Sequence, residues 1–213
     1  MYELIDTGGS RSFPGPHEML ARASGEGDSV LIIGMHVAEA LEKVPAPERY
    51  AAIVIELGIE CLGAHTGESR GNEGSNVLGF ARFRLGTSEP TPLVELVRQP
   101  RTSEAAIVAA TALFEDAGLQ VAVCADFAGR IVDRLVRPYY NAALTRLDES
   151  LATADDLDAT LRLGLGYPEG PIALLERTGL EHHYDVTQAL FEAYGDPAYA
   201  PARRARVAKQ RQK

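Results

Sequence analysis

The spacing of hydrophobic and polar positions changes period a little past the middle of the chain. Before residue 126 the apolar residues come in short runs bounded by glycine, proline or charge: YELID (2–6), SVLIIGM (29–35), AAIVIEL (51–57), GFARFRL (79–85), PLVELV (92–97) and LQVAVCAD (119–126). Runs this short, several of them β-branched, predict buried strands. Between the second and third runs, HVAEALEKV (36–44) has helical spacing, and Pro45 and Pro47 stop it. Strand, helix, strand in that order predicts a mainly parallel sheet. A second helix, SEAAIVAATALFEDAG, places positions 106, 107, 110, 113 and 114 on one face and ends at Gly118. The polar, glycine-rich stretches TGGSRSFPGP and GAHTGESRGNEGSN (63–76) predict loops.

From there on the period is 3.6. Residues 129–150 predict one long helix with Ile131, Leu135, Tyr139, Ala142 and Leu147 along its apolar face and a bend at Pro138. Thr153 followed by Asp156 resembles a capping box and opens ADDLDATLRLG. Gly170-Pro171 opens PIALLERTG, since proline suits the first helical position. HHYDVTQALFEAYG supplies a further helix. The expected organisation is an α/β domain over residues 1–126 followed by an all-α domain over 127–213.

Charge and cysteine content narrow the setting. With 30 acidic residues against 21 Lys and Arg, a net charge of -9 disfavours a nucleic-acid backbone as partner. The last fifteen residues, YAPARRARVAKQRQK, hold six Lys or Arg and no acid, and are expected to be a solvated helix end or frayed terminus rather than a nucleic-acid arm. Cys61 and Cys124 each sit in an apolar run and read as buried, reduced thiols. MYELIDTGGSRS has neither a basic nor an apolar leader region, and no eighteen apolar residues run uninterrupted, so the expectation is a cytoplasmic protein without a membrane span.

Candidate chemistry is sparse. The segment DFAGRIVDRLVRPYYNAAL (126–144) puts Asp133 beside Arg134 inside an apolar stretch. Asp133 either faces a site or pairs with Arg130 or Arg137 at helical spacing, a surface contact worth about 0.2–0.5 kcal/mol. His182 and His183 with Asp185 suggest a metal at first, but adjacent residues on a helix point about 100° apart, and a polar helix start is the expectation. No metal site is assigned, and no nucleophile-histidine arrangement can be read from spacing.

Two stretches carry a resemblance. TPLVELVRQPRTSEAAIVAATALFEDAGLQVAVCADFAGRIVDRLVRPYYNAAL resembles the join between the nucleotide-binding and C-terminal domains of the 3-hydroxyacyl-CoA dehydrogenases. GLGYPEGPIALLERTGLEHHYDV resembles that family's G-x-G-x-P-x-G-P stretch, and together they cover about residues 79–200. About 126 residues precede the helical part, so the first half looks like the reduced Rossmann-type module of the longer 3-hydroxybutyryl-CoA dehydrogenases of the phenylacetate pathway. The resemblance implies a place in acyl-CoA (fatty acid or phenylacetate-type) β-oxidation, an acyl-CoA or other coenzyme A ester as ligand, and a homodimer formed through the helical domain. It also implies hydride transfer between substrate C3 and NAD, with a histidine acting on the hydroxyl proton and a glutamate orienting it.

The working residues only partly survive. The family writes G-x-H-F-F and then L-V-E; here stand Gly79-Phe80-Ala81-Arg82-Phe83 and Leu93-Val94-Glu95, with Ala81 where the histidine belongs. The family's G-F-I-V-N-R becomes Gly129-Arg130-Ile131-Val132-Asp133-Arg134, with Asp133 for the asparagine and Arg130 for an aromatic. An aspartate that only accepts cannot donate to a substrate oxygen as an amide does. Glu95 and Asp133 are the residues left as catalytic candidates.

No NAD-binding residue is assigned, because the cofactor rests on the resemblance alone. A dinucleotide turn must follow a strand and open a helix. Asp6-Thr7-Gly8-Gly9-Ser10 follows a strand but runs into Pro14 and Pro16; Gly25-Glu26-Gly27-Asp28 precedes its strand and carries two acids; Gly34 stands alone.

Three readings remain open. The first is a degenerate member that binds an acyl-CoA or a partner dehydrogenase without turnover. The second is an active NAD-dependent enzyme using His65 beside Glu95 as a displaced base, Thr66 matching the family's hydroxyl-bearing loop and Gly67 replacing its serine. The third is a non-catalytic interaction subunit.

Overall fold

The computed structural model describes residues 1–212, and its internal contacts divide the chain into two units. The first comprises Met1–Arg84 and Pro90–Arg130; the second comprises Leu85–Glu89 and everything from Ile131 onward.

The first unit is a six-stranded sheet: β1 Glu3–Asp6, β2 Ser29–Ile33, β3 Ala52–Glu56, β4 Val77–Arg82, β5 Leu93–Arg98 and β6 Gln120–Ala125. The strands lie side by side in chain order with no reversal, and every neighbouring pair is parallel except β4 with β5. The β4–β5 link carries no crossover helix, and without one the chain returns antiparallel. Every residue of β2 and β3 is buried, as expected of strands covered on both faces.

Alternation sorts their side chains. Leu31, Ile33, Val54, Phe80 and Leu96 pack with Met19 of α1 (Glu18–Ala21) and with Ala106, Ala110, Leu113 and Phe114 of α4 (Glu104–Glu115). Val30, Ile32, Ile53 and Ile55 pack with Val37 and Ala40 of α2 (Val37–Glu42). Each Val, Leu, Ile, Phe or Met side chain among them taken fully out of water contributes about 1.5–3 kcal/mol, so the two faces together hold the sheet.

The loop expected over residues 63–76 begins instead with a helical turn, α3 (Gly63–Thr66). Its first amides are satisfied from far away in sequence: Leu62 N and Gly63 N donate to the Asp126 carboxylate at 2.6 and 2.8 Å. A glycine-rich segment with no local cap cannot announce a turn whose cap lies more than sixty residues off.

The second unit is all-α: α5 Val132–Asp148, α6 Ala154–Leu165, α7 Pro171–Thr178, α8 Leu180–Tyr194 and α9 Arg203–Arg211. Thr153 caps α6 by accepting from Asp156 N at 3.2 Å and donating back to its carboxylate at 2.7 Å. Asp158 of α6 then accepts from Ile172 N and Ala173 N, satisfying the start of α7. Gly170 is required there, because a Cβ would meet the Asp158 side chain at 2.2 Å. Residues 85–89 belong to this unit for a similar reason: Gly86, at φ +53°, lies so close to Thr178 that a Cβ would meet its carbonyl oxygen at 1.7 Å.

Two expectations change. The α5 face predicted to be buried is so only in part: Leu135 is 71% exposed, Ile131 37% and Ala142 is exposed, while Tyr139 and Leu147 are half-buried. The buried side carries Asp133, Arg137, Tyr140, Asn141 and Leu144. The basic tail is a docked helix, with Arg203 and Arg204 paired to Asp148 and Lys209 to Asp185; Lys213 lies outside the described residues. Among the described residues no helix is long and apolar enough to cross a membrane.

Candidate functional site

The first unit's chemistry gathers at the ends of its strands. Ala81 of β4 lies directly opposite Glu95 of β5 in the antiparallel register. Glu95 is 2% exposed, and its charged neighbour is Arg130, whose Nε sits 3.6 Å from a carboxylate oxygen. The same guanidinium donates from Nη2 to Gly58 O at 2.6 Å, while its buried Nε and Nη1 have no hydrogen-bond acceptor. Arg130 is held at φ +52°, a left-handed conformation that costs a residue with a side chain about 1 kcal/mol or more. The cross-strand neighbour of Glu95 is thus an alanine with no proton to exchange, and its charged neighbour is an arginine. A guanidinium stays charged across the working pH range and cannot serve as a base.

At the ends of β1, β2 and β3 an open cleft of about 400 Å³ is lined by Gly9, Arg11, Gly34, His36, Glu56 and Glu60, among others. Glu56, 5% exposed, accepts from Ser12 N at 2.6 Å and from Gly34 N at 2.8 Å, one amide on each oxygen. Gly8 N donates to Asp6, Met35 N to Gly8 O and His36 N to Thr7 Oγ1. Gly34 sits at φ +106° with no room for a Cβ, which would meet Gly8 O and Thr7 Oγ1 at 2.5 Å. A dinucleotide's pyrophosphate needs free amides and a following helix at such a turn, and in open sheets it lodges where the strand order reverses. Here the amides of Gly8, Ser12, Gly34, Met35 and His36 have internal acceptors, the order does not reverse, and α1 is a single turn beyond Pro14 and Pro16. These residues do not fit the phosphates of NAD.

His65, at the end of α3, points Nε2 toward Glu60 at 3.3 Å. Burial works against ionisation of Glu60, but His65 and the amides of Gly58 and Glu60 outweigh it and hold its carboxyl at about 2. The partnership expected for His65, with Glu95, is thus replaced by one with Glu60. Sequence reasoning missed Glu60, whose signal is a carboxylate five residues before the histidine in GIECLGAH. Burial foremost, with Asp126 adding to it, raises the Cys61 thiol; burial and then Glu95 push Cys124 up to about 11. Neither is a thiolate at neutral pH.

In the second unit Asp133 is neither exposed nor a free acceptor. Its Oδ1 takes a 2.7 Å hydrogen bond from Arg137 Nε, with both residues buried. Arg137 Nη1 lies 3.2 Å from His183 Nδ1, and His183 Nε2 lies 3.0 Å from Asn141 Oδ1. Arginine only donates, so Nδ1 accepts and Nε2 carries the hydrogen. Burial, then Arg137, lowers His183 to about 3 and keeps it neutral. Asn141 passes the chain on to Ala198 O and Ala200 O. His182 is beside Glu181 and Asp185 beside Lys209, so the three residues that suggested a metal have separate partners. No group of three or more potential ligands occurs among the described residues. The two catalytic candidates thus fall in different units, and each carboxylate has an arginine of its own unit as partner.

A mostly parallel α/β unit continued by an all-α unit defines the class as a Rossmann-like scaffold with an appended helical unit. Residues 129–212 match the model of the 3-hydroxyacyl-CoA dehydrogenase C-terminal domain. A 3-hydroxybutyryl-CoA dehydrogenase of Mycobacterium tuberculosis is 38% identical over 112 residues, which are 52% of this chain and 39% of that protein. Among solved structures, the 3-hydroxybutyryl-CoA dehydrogenase of Escherichia coli superposes with a TM-score of 0.70 at 27% identity, covering 89% of this chain and 40% of that one. The (S)-3-hydroxybutyryl-CoA dehydrogenase of Ralstonia eutropha gives 0.69 at 25% identity, covering 88% and 70%. Residues 129–212 belong to the C-terminal domain family of the 3-hydroxyacyl-CoA dehydrogenases, and the chain as a whole is similar in fold to 3-hydroxybutyryl-CoA dehydrogenases. Its match spans about two fifths of the length of that curated relative.

Proposed function

We propose that this chain is a catalytically degenerate member of the family, one that binds an acyl-CoA or a partner dehydrogenase without transferring hydride itself. The observation that carries the reading is the pairing of Glu95 with Arg130 across from Ala81. A glutamate that orients a histidine is useful only if the histidine is there; Arg130 supplies the counter-charge that a buried carboxylate needs, and with it no proton transfer. The pairing of Asp133 with Arg137 supports the same reading, because the position of the substrate-binding amide carries a neutralised acceptor.

A homodimer through the helical unit is part of the proposal. Ile131, just before α5, and Leu135 and Ala142 of α5 face outward, as do Leu163 and Leu165 of α6, a helix that buries no residue fully. An apolar surface of this kind is what a two-fold contact covers.

Melting curves test the binding claim. A ligand that binds only the folded state raises the transition, so acetoacetyl-CoA is expected to raise it and NAD to leave it unmoved. No response to any coenzyme A ester would remove the acyl-CoA part.

One observation favours a second reading. The His65–Glu60 pair is a histidine with an ionised carboxylate beside it, the arrangement a displaced base requires. On that reading acetoacetyl-CoA and NADH react, and His65→Ala abolishes the reaction.

A further inference from the structure

The cleft at the ends of β1, β2 and β3 contains an arrangement that the proposed function leaves unused. Two backbone amides from separate turns, Ser12 N after β1 and Gly34 N after β2, converge on one carboxylate. Paired amides of this kind make an anion seat. In this chain the seat is filled from below, since Glu56 stands at the end of β3 and places one carboxylate oxygen on each amide. The side chain is nearly fully buried, yet it lines the cleft floor together with Gly34 and Gly9.

Both turns are built around this contact. Ser12 is 1% exposed and its Oγ accepts from Arg82 N, while Arg82 Nη1 donates to Ser12 O, so the Ser12 amide is held in place. Gly34 adopts a φ of +106° that a residue with a side chain could not take there without striking Gly8 O and Thr7 Oγ1. The geometry is thus preorganised on both sides of the carboxylate.

We propose that Glu56 is the resident anion of a two-amide oxyanion seat: it plugs the crevice against nucleotide phosphates, and its removal uncovers a binding site for a small oxyanion such as phosphate or pyrophosphate. This goes beyond the acyl-CoA reading, which rests on Ala81, Glu95 and Arg130 and stands or falls separately.

The test is chemical rescue of the full chain. Wild type and Glu56→Ala are melted with inorganic pyrophosphate, phosphate or formate, against chloride at matched ionic strength. Glu56→Ala is expected to melt lower than wild type in chloride and to regain at least about 3 °C in pyrophosphate, with the wild-type curve unmoved. Equal response of the two proteins, or no selective rescue of a folded Glu56→Ala, overturns the proposal. If Glu56→Ala does not fold in chloride, refolding is attempted in each anion, and recovery of native circular dichroism in pyrophosphate but not chloride supports the seat. Failure to refold in all of them contradicts it. Glu56→Gln provides a check, because an amide keeps one acceptor and turns a donor toward the other amide: anions are expected to rescue it less than Glu56→Ala, and equal rescue counts against the seat.

Discussion

At the scale of single residues, the informative fact is that the two catalytic candidates, Glu95 and Asp133, each lie beside an arginine. Glu95 was visible in the sequence as the surviving half of a dyad, but its partner was not, because Arg130 reaches it only through the fold and through a left-handed backbone that nothing in GRIVDR requires. Asp133 was legible as either a site residue or half of a helical pair; it is half of a pair, with Arg137, but a buried one. Removing one member of a buried pair strands the other. Arg130→Met is therefore expected to cost about 3 kcal/mol in urea unfolding, whereas Glu95→Leu combined with Arg130→Met stays within about 1 kcal/mol of wild type. A double variant that loses as much as the single one would mean that Arg130 acts through Gly58 and not through Glu95.

At the scale of elements, the strands and the α4 face follow from local pattern, because Ala106, Ala110, Leu113 and Phe114 occupy the buried positions that a period of 3.6 predicts. Pattern misplaces the α5 face for a physical reason. Asp133, Arg137 and Asn141 are polar, and they become interior only because His183 of α8 and the carbonyls of Ala198 and Ala200 complete their hydrogen bonds. A one-dimensional pattern cannot see those partners.

This network has a pH signature. His183 is neutral in the fold, at about 3 against an ordinary 6.5, so the unfolded chain takes up the proton first as pH falls. Its contribution is complete above about pH 6.5 and is lost below it at about 1.4 kcal/mol per pH unit. Urea unfolding at pH 7, 6 and 5 should display that loss, and His183→Gln should flatten the slope by the same amount. A slope unchanged by the substitution would assign the acid sensitivity to other groups.

At the scale of the whole molecule, an apolar stripe that local pattern assigns to a core and the fold turns outward calls for a covering surface. Leu135→Glu is expected to convert a homodimer into a monomer in sedimentation equilibrium while leaving the circular dichroism spectrum unchanged. A wild-type chain that already sediments as a monomer would remove the dimer from the account. The buried charges of both units are paired: Glu95 lies beside Arg130, Asp133 beside Arg137, and Glu56 accepts from the amides of Ser12 and Gly34.

The most direct test is whether the purified chain oxidises NADH in the presence of acetoacetyl-CoA, followed by nicotinamide absorbance. The account predicts no consumption above a protein-free blank at any protein concentration. Steady consumption proportional to the amount of chain added, and abolished in His65→Ala, would contradict it.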